Sequence, residues 1–465
     1  MPATSPRRRM LDRAIAAAIV VVVGVVGLVL YLNSDIRAAQ SSPGSSEKAP
    51  STATDVPTRL TERWSAPTDA GLGAVVSPSG VVVTTTEHEI TGLDAVTGEQ
   101  RWSYSRSNRP LCAVGSGDLS ANGGGVRGIA TVWESNGYCS QVMTFDADTG
   151  ERSKVRTAPN QVGGSLVFGG GSAGWVGSDL LEVWRNDLVR TMQYGVQPNP
   201  TNPDSRHTGC VFTDMAIADL QFGTIEHCEA QGPNARIVLN FDEPKGKKDG
   251  WDEYRSDPRM DVDTGSTAAL IVGITQDRVA VLVSSPEPAV VLYDAAGTEI
   301  SRSPVDIPAA DIENTAATGT PTPYRRTDTT RYSLIGSTLL AVTEETVQTA
   351  PPATALTTPT TSTETSSDAS SSPSSSEAPA DVSVTSLRVA FVSAGAIGLP
   401  AVVDEQLVVP VTGGLSVMSA ETGSSQLDPA REIPVDRAGW TGRVDAGAVG
   451  SMIVETRGGT VVALS

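Results

Sequence analysis

Gly92-Leu93-Asp94-Ala95-Val96-Thr97-Gly98-Glu99-Gln100-Arg101-Trp102 reads as a strand, a Thr-Gly turn and a second strand that carries a tryptophan. Glycine at 98 supplies the positive φ that a tight hairpin turn needs. The phrase returns as Phe145-Asp146-Ala147-Asp148-Thr149-Gly150, as Leu292-Tyr293-Asp294-Ala295-Ala296-Gly297 and as Met418-Ser419-Ala420-Glu421-Thr422-Gly423. Around these copies lie short β-branched runs such as Val81-Val82-Val83 and Leu407-Val408-Val409, punctuated by Gly, Asp, Asn, Ser or Pro. No segment after Leu32 keeps a capped helical period. Beyond that point the chain is expected to be all-β.

Spacing converts the phrase into a blade count. Asp94 to Asp146 is a step of 52 residues, and Asp146 to Asp294 holds three steps of about 49. Removing the low-complexity tract 350–381 leaves two steps of about 46 between Asp294 and Ser419, and Ser465 stands one more step beyond. Eight equivalent positions predict an eight-bladed β-propeller, with seven blades the nearest alternative. The last copy stops where its Trp-bearing strand should follow. An unpaired version of that strand, Glu62-Arg63-Trp64-Ser65-Ala66, opens the folded region. Placing Trp64 in the last blade closes the ring and leaves neither terminus as a free sheet edge. Residues 62–465 are then one domain.

The phrase resembles the A-x-D-x-x-T-G-x-x-x-W repeat of the quinoprotein-type (PQQ-like) β-propeller superfamily. The first copy matches nearly in full, with Gly92 in the place of Ala; the second carries Lys154 where Trp belongs. As a whole the chain looks like the membrane-anchored propeller proteins of high-GC Gram-positive (actinobacterial) bacteria. The superfamily includes soluble dehydrogenases and a non-enzymatic envelope scaffold. Within it, Asp94, Thr97, Gly98, Asp146 and Gly150 are expected to set turns, and Trp64 and Trp102 to pack between blades. These are structural roles, not cofactor ligation.

The amino-terminal region has a different character. Ala14 to Leu32 is an uncharged 19-residue run, and at 1.5 Å per residue it spans about 28 Å, close to bilayer thickness. Arg7, Arg8, Arg9 and Arg13 precede it, whereas only Arg37 closely follows. The positive-inside rule therefore predicts a cytoplasmic tail at 1–13, a transmembrane helix at 14–32 and an extracytoplasmic remainder. Residues 33–61 and 350–381 are rich in Ser, Thr, Ala and Pro, and are expected to be a disordered tether and a disordered loop insertion. All four cysteines follow the anchor, as an oxidising compartment permits. Of three connectivities, the local one is expected: Cys112 with Cys139 and Cys210 with Cys228.

Charge and motif content narrow the function classes. The chain carries −19 overall, and an acidic body repels phosphate backbones, so nucleic acid is not expected as a partner. Asp146-Ala147-Asp148-Thr149-Gly150 and Asp261-Val262-Asp263-Thr264-Gly265 begin like calcium loops, but Thr157 and Val272 stand where the twelfth-position Glu is needed. His88, His207 and His227 are scattered, and Lys245-Gly246-Lys247-Lys248 reads as a solvated hairpin tip. No two cysteines are adjacent, as they are in many PQQ dehydrogenases. No catalytic, cofactor or metal residue is therefore assigned. The expected function is a non-catalytic cell-envelope scaffold or recognition module for a protein, peptide or glycan, with the bilayer as a further partner through residues 14–32. The alternatives are a small-molecule or sugar sensor or carrier using the propeller channel, and a divergent PQQ-dependent dehydrogenase.

Overall fold

The computed structural model describes residues 6–32, 34–51, 53–117, 128–196, 209–242, 258–349, 382–423 and 431–465. Strand follows strand around a ring of eight antiparallel sheets, seven of four strands and one of five. This is an eight-bladed propeller. Within a blade the strands run outward from the axis in chain order. Blade 1 is Val75–Ser77, Val81–Thr85, Glu89–Asp94 and Gln100–Arg106, and its innermost strand pairs only with the second. Blades 2 to 7 start at the inner strands Leu111–Gly117, Ser165–Gly169, Cys210–Ala218, Ala269–Ile274, Tyr324–Arg326 and Ala401–Val403. Blade 8 joins Val444–Val449, Met452–Arg457 and Thr460–Leu464 to Glu62–Pro67. Trp64 faces Ala463 in that last pairing, so the first propeller strand completes the last sheet.

The core is not central. Buried apolar side chains fall into clusters at the seams between neighbouring blades: Trp102, Trp133 and Phe145 between blades 1 and 2, for example, and Trp64 with Val454 and Ala463 between blades 8 and 1. Alternating strand faces supply both walls of each seam. The repeat phrase builds these seams. Asp94 Oδ1 accepts the Val96 and Thr97 amides at 2.9 and 2.8 Å, and Asp146 Oδ1 accepts those of Asp148 and Thr149 at 3.0 and 2.8 Å. Gly98 and Gly150 take φ of 74° and 68°. Those bare glycines lie against the preceding blade's tryptophan: a Cβ on Gly98 would meet Trp64 Cγ at 2.6 Å, and one on Gly150 would meet Trp102 Cδ2 at 2.4 Å. Trp102 Nε1 donates to the Ala147 carbonyl at 3.1 Å. Lys154 keeps the role in another chemistry, its Nζ donating to Asn186 O of blade 3 at 2.7 Å. A bulge just before Trp64, and another before Lys154, adds the local twist that turns each side chain onto the next blade.

Two features depart from the expected organisation. A helix, Ala309–Ala316, occupies the connection between blades 5 and 6 and buries Ile312 and Ala316 in the seam. More consequential is the segment 33–61, expected as a disordered tether. Its described residues are laced onto the ring. A short helix, Asp35–Ala38, leads into a strand, Ala39–Ser42, that adds a fifth strand to blade 1 against Gln100–Arg106. The Gly44 amide then donates to Thr149 O at 2.8 Å, and Ser46 Oγ to Asp148 at 2.6 Å. Pro50 lies over Gly80 and Gly450, and Val56, 1% exposed, packs into the seam of blades 7 and 8. Single apolar residues, backbone groups and isolated polar side chains such as Asp35 and Ser46 hold this strap, which is why composition does not reveal it.

The amino-terminal helix runs Pro6–Leu32 and is long and apolar enough to cross a membrane; a signal sequence at this position has the same properties. Its side chains from Met10 to Leu32 are all exposed. The 350–381 tract lies outside the described residues. The strands on either side of it, Thr338–Thr349 and Val382–Ala394, pair within blade 6 along their whole length.

Candidate functional site

Inner strands crowd together at a propeller axis, so small residues are needed there. Gly115 and Gly117 of blade 2 provide that space. A Cβ on either would come within 2.6 and 2.3 Å of the Phe168 ring of blade 3. Facing them, blade 6 sends two side chains through the axis. The Tyr324 hydroxyl donates to Phe168 O at 3.0 Å, and Arg325 donates to Pro400 O at 3.2 Å and Ala446 O at 2.7 Å. Behind Tyr324, the buried Arg331 guanidinium sits 3.8 Å from the ring centroid, a cation–π contact made strong by desolvation. Its electrostatic counterpart is Asp214. That carboxylate, wholly buried, accepts Thr322 Oγ1 at 2.7 Å, the Thr322 amide at 3.1 Å and the Ile271 amide at 2.9 Å. Burial pushes the Asp214 carboxyl up, opposed by the Arg331 charge and those hydrogen bonds.

On one side of this plug opens a cavity of about 730 Å³, bounded by Gly115–Gly117, Phe168, the turn Gly169-Gly170-Gly171, Asp219 and Arg326 to Asp328. Arg326 pairs with Glu344 at 3.0 Å. Burial pushes the Glu344 carboxyl up, Arg326 opposes that shift, and the nearby Asp219 charge adds to it. Asp219 and Asp328 remain exposed at the rim. The mouth is thus polar, carries Asp219 and Asp328 beside Arg325 and Arg326, and is floored by aromatic rings. It offers hydrogen-bonding backbone and carboxylates to a ligand rather than a nucleophile with its base.

The residues singled out from the sequence lie elsewhere. Cys112 and Cys139 are bonded between the first and third strands of blade 2, and Cys210 and Cys228 between the two innermost strands of blade 4. Glu226 lies close to the second pair, but both sulfurs are already used, so the trio is no metal site. Asp94, Thr97, Gly98, Trp102, Asp146, Gly150 and Trp64 are in the seams. Asp146 Oδ1 is occupied by its own turn, Asp261 by Arg236 at 2.7 Å, and Asp263 by Asn234 at 3.0 Å. His88 Nδ1 lies 3.0 Å from Arg109 O, while burial pushes His227 down. His207 and Lys245 to Lys248 lie outside the described residues. The axial cavity had no local signal. Only the Gly115-Ser116-Gly117 and Gly169-Gly170-Gly171 runs hint at crowding.

PQQ chemistry does not fit this axis. Tyr324 and Arg325 cross it where a flat cofactor would need an open slot, and neither disulfide joins neighbouring cysteines.

The sequence matches no protein-family model and no curated protein. Solved structures similar to it are of diverse origin. The computationally designed Ika8 protein shares 10% identity with a TM-score of 0.45, covering 90% of this chain and 99% of its own. The C-terminal WD40 domain of Sif2 gives 8% identity and a TM-score of 0.47, covering 88% and 98%. The quinohemoprotein alcohol dehydrogenase ADHIIG from Pseudomonas putida gives 12% and 0.41, covering 87% of this chain and 76% of the enzyme.

Proposed function

We propose that this chain is a membrane-anchored, extracytoplasmic recognition module of the quinoprotein-type propeller class, without catalytic activity, that receives a peptide segment or glycan at the axial mouth. One observation carries the reading: the polar cavity of about 730 Å³ to which blades 2, 3, 4 and 6 all contribute. Binding sites favour such concave, preformed places where several elements converge. Two disulfides support an oxidising compartment, and the exposed apolar helix supports an anchor.

Chain direction supports an orientation. The strap enters at Ala39, opposite Arg106, where the outer strand of blade 1 turns toward blade 2. Inner strands end on the other face, and Gly117, Gly169 and Arg326 are such ends. The mouth accordingly faces away from the bilayer, toward the cell wall or medium.

The test is a photo-crosslinking amino acid at Thr327 on the mouth, compared with one at Ile300 on the outer edge of blade 5. Adducts to an envelope peptide or glycan at 327 alone are expected. Equal or absent adducts at 327 overturn the reading, and oxidation of alcohols or sugars by the PQQ-supplemented protein overturns its non-catalytic part. The cavity volume also suits a small sugar, so a sensor reading predicts a saturable thermal shift with monosaccharides.

A further inference from the structure

A second cavity, of about 430 Å³, lies beside the exit from the apolar helix, between Asp35, Ile36 and Gln40 on one side and Tyr104, Arg106 and Arg152 on the other. Asp35 begins the short helix that follows Leu32. Tyr104 and Arg106, only 3% and 2% exposed, line this cavity; Arg106 Nη1 donates to Gln141, whereas Tyr104 Oη and Arg106 Nε, both shielded from water, have no hydrogen-bond partner. A buried donor left unmatched is costly, so its persistence calls for an acceptor. Charge points the same way. Around Arg106 stand the cations Arg109 and Arg152 and the anion Asp35, a cationic excess on a chain of net −19. Asp35 is held more closely by Arg109, at 2.8 Å, than by Arg106, at 3.3 Å. An incoming anion can therefore take Arg106 without leaving Asp35 unpaired.

We propose that this cavity is a phosphate-recognition site whose ligand is the headgroup of an anionic phospholipid. Planar guanidinium groups with a phenolic hydroxyl suit tetrahedral phosphate oxygens. The phosphate chemistry stands on the cavity itself; the lipid as its source rests on the helix spanning the membrane, part of the function proposed above. Ile36 on the cavity wall and its neighbour Arg37 are both exposed, and a helix spanning the bilayer to Leu32 would bring them to headgroup depth.

The experiment uses the full chain in detergent. Thermal unfolding is followed against dioctanoyl phosphatidylglycerol, dioctanoylglycerol and inorganic phosphate, for the native chain and for Tyr104→Phe and Arg152→Gln. Tyr104→Phe removes only an unpartnered hydroxyl, so folding is preserved. Phosphatidylglycerol should raise the Tm saturably, dioctanoylglycerol should not, and each variant should weaken the apparent Kd by about tenfold. No saturable shift with phosphatidylglycerol or phosphate overturns the site, as does an unchanged Kd in both variants. An equal shift with inorganic phosphate overturns the lipid source and leaves the site standing. Release of the chain from membranes by alkaline carbonate overturns the anchor separately, whatever phosphatidylglycerol does.

Discussion

Trp64 Nε1 donates to the Ala95 carbonyl at 3.0 Å, so a side chain carried by the last blade is bonded to the first. The same bond joins Trp102 to Ala147 one blade further on. Closure of the ring therefore reuses an ordinary seam, with its strand supplied from the other end of the chain. Trp64→Phe should cost about 1 kcal/mol by losing that bond. Trp64→Ala should cost about 3 kcal/mol because the seam also loses packing. Denaturant unfolding checks both, and equal costs would show that the hydrogen bond, not the ring, does the holding.

Gly98 and Gly163 both have positive φ, 74° and 81°, but only Gly98 faces a tryptophan, and nothing lies within 4 Å of a Cβ on Gly163. Gly163→Ala should cost about 1 kcal/mol of backbone strain. Gly98→Ala adds displacement of Trp64 and should cost at least about 2 kcal/mol. Similar Tm losses in the two variants would refute the seam account.

Glu455 is fully buried and pairs with Arg437 at 2.8 Å and Arg457 at 2.7 Å. Replacing it with Gln leaves two buried guanidinium groups without a counter-charge. The expected loss is about 3 kcal/mol, read from urea unfolding. A neutral result would mean that water already reaches the pair.

The disulfides close loops with sequence separations of 27 and 18. Each should contribute about 3 kcal/mol by restricting the unfolded chain. Reduction should lower the Tm markedly, and the Cys112→Ala/Cys139→Ala double variant should respond to reductant less than the native chain does.

Asp35 ties the strap to blade 1. The Arg109 hydrogen bonds hold its carboxyl down, from the ordinary 3.8 to about 2. A depressed carboxyl contributes stability that is complete above its unfolded value and fades as pH falls through the folded one. Amide exchange at Gln40 and Ser41 should therefore accelerate, relative to the innermost strands, between about pH 4 and 2. Uniform protection across that window would refute the role of Asp35. Asp35→Asn should leave Gln40 and Ser41 in fast exchange at every pH and abolish the pH step.

The blade phrase was legible because its physics is local. Asp94 bonds amides two and three residues away, and Gly98 adopts its own φ. The pairing of Cys112 with Cys139 was legible too, since both lie in one blade. The strap was not. Val56 becomes buried only against Leu415 and Ile433 of a distant blade, and nothing in a Ser/Ala/Pro-rich stretch announces which residue finds such a partner.

From its residues alone, this chain specifies short alternating strands, Asp/Gly turns, an apolar helix and a last blade lacking its outer strand. Each of these depends on neighbours within one or two hairpins. The axial plug, the polar mouth and the cationic cavity at the helix exit arise only in three dimensions. Tyr324 reaches Phe168 across 156 positions of sequence, and Arg109 reaches Asp35 across 74. Such pairs have no periodicity to betray them; they exist because the ring, once closed, brings its blades to a common axis and its amino-terminal strap to a particular edge.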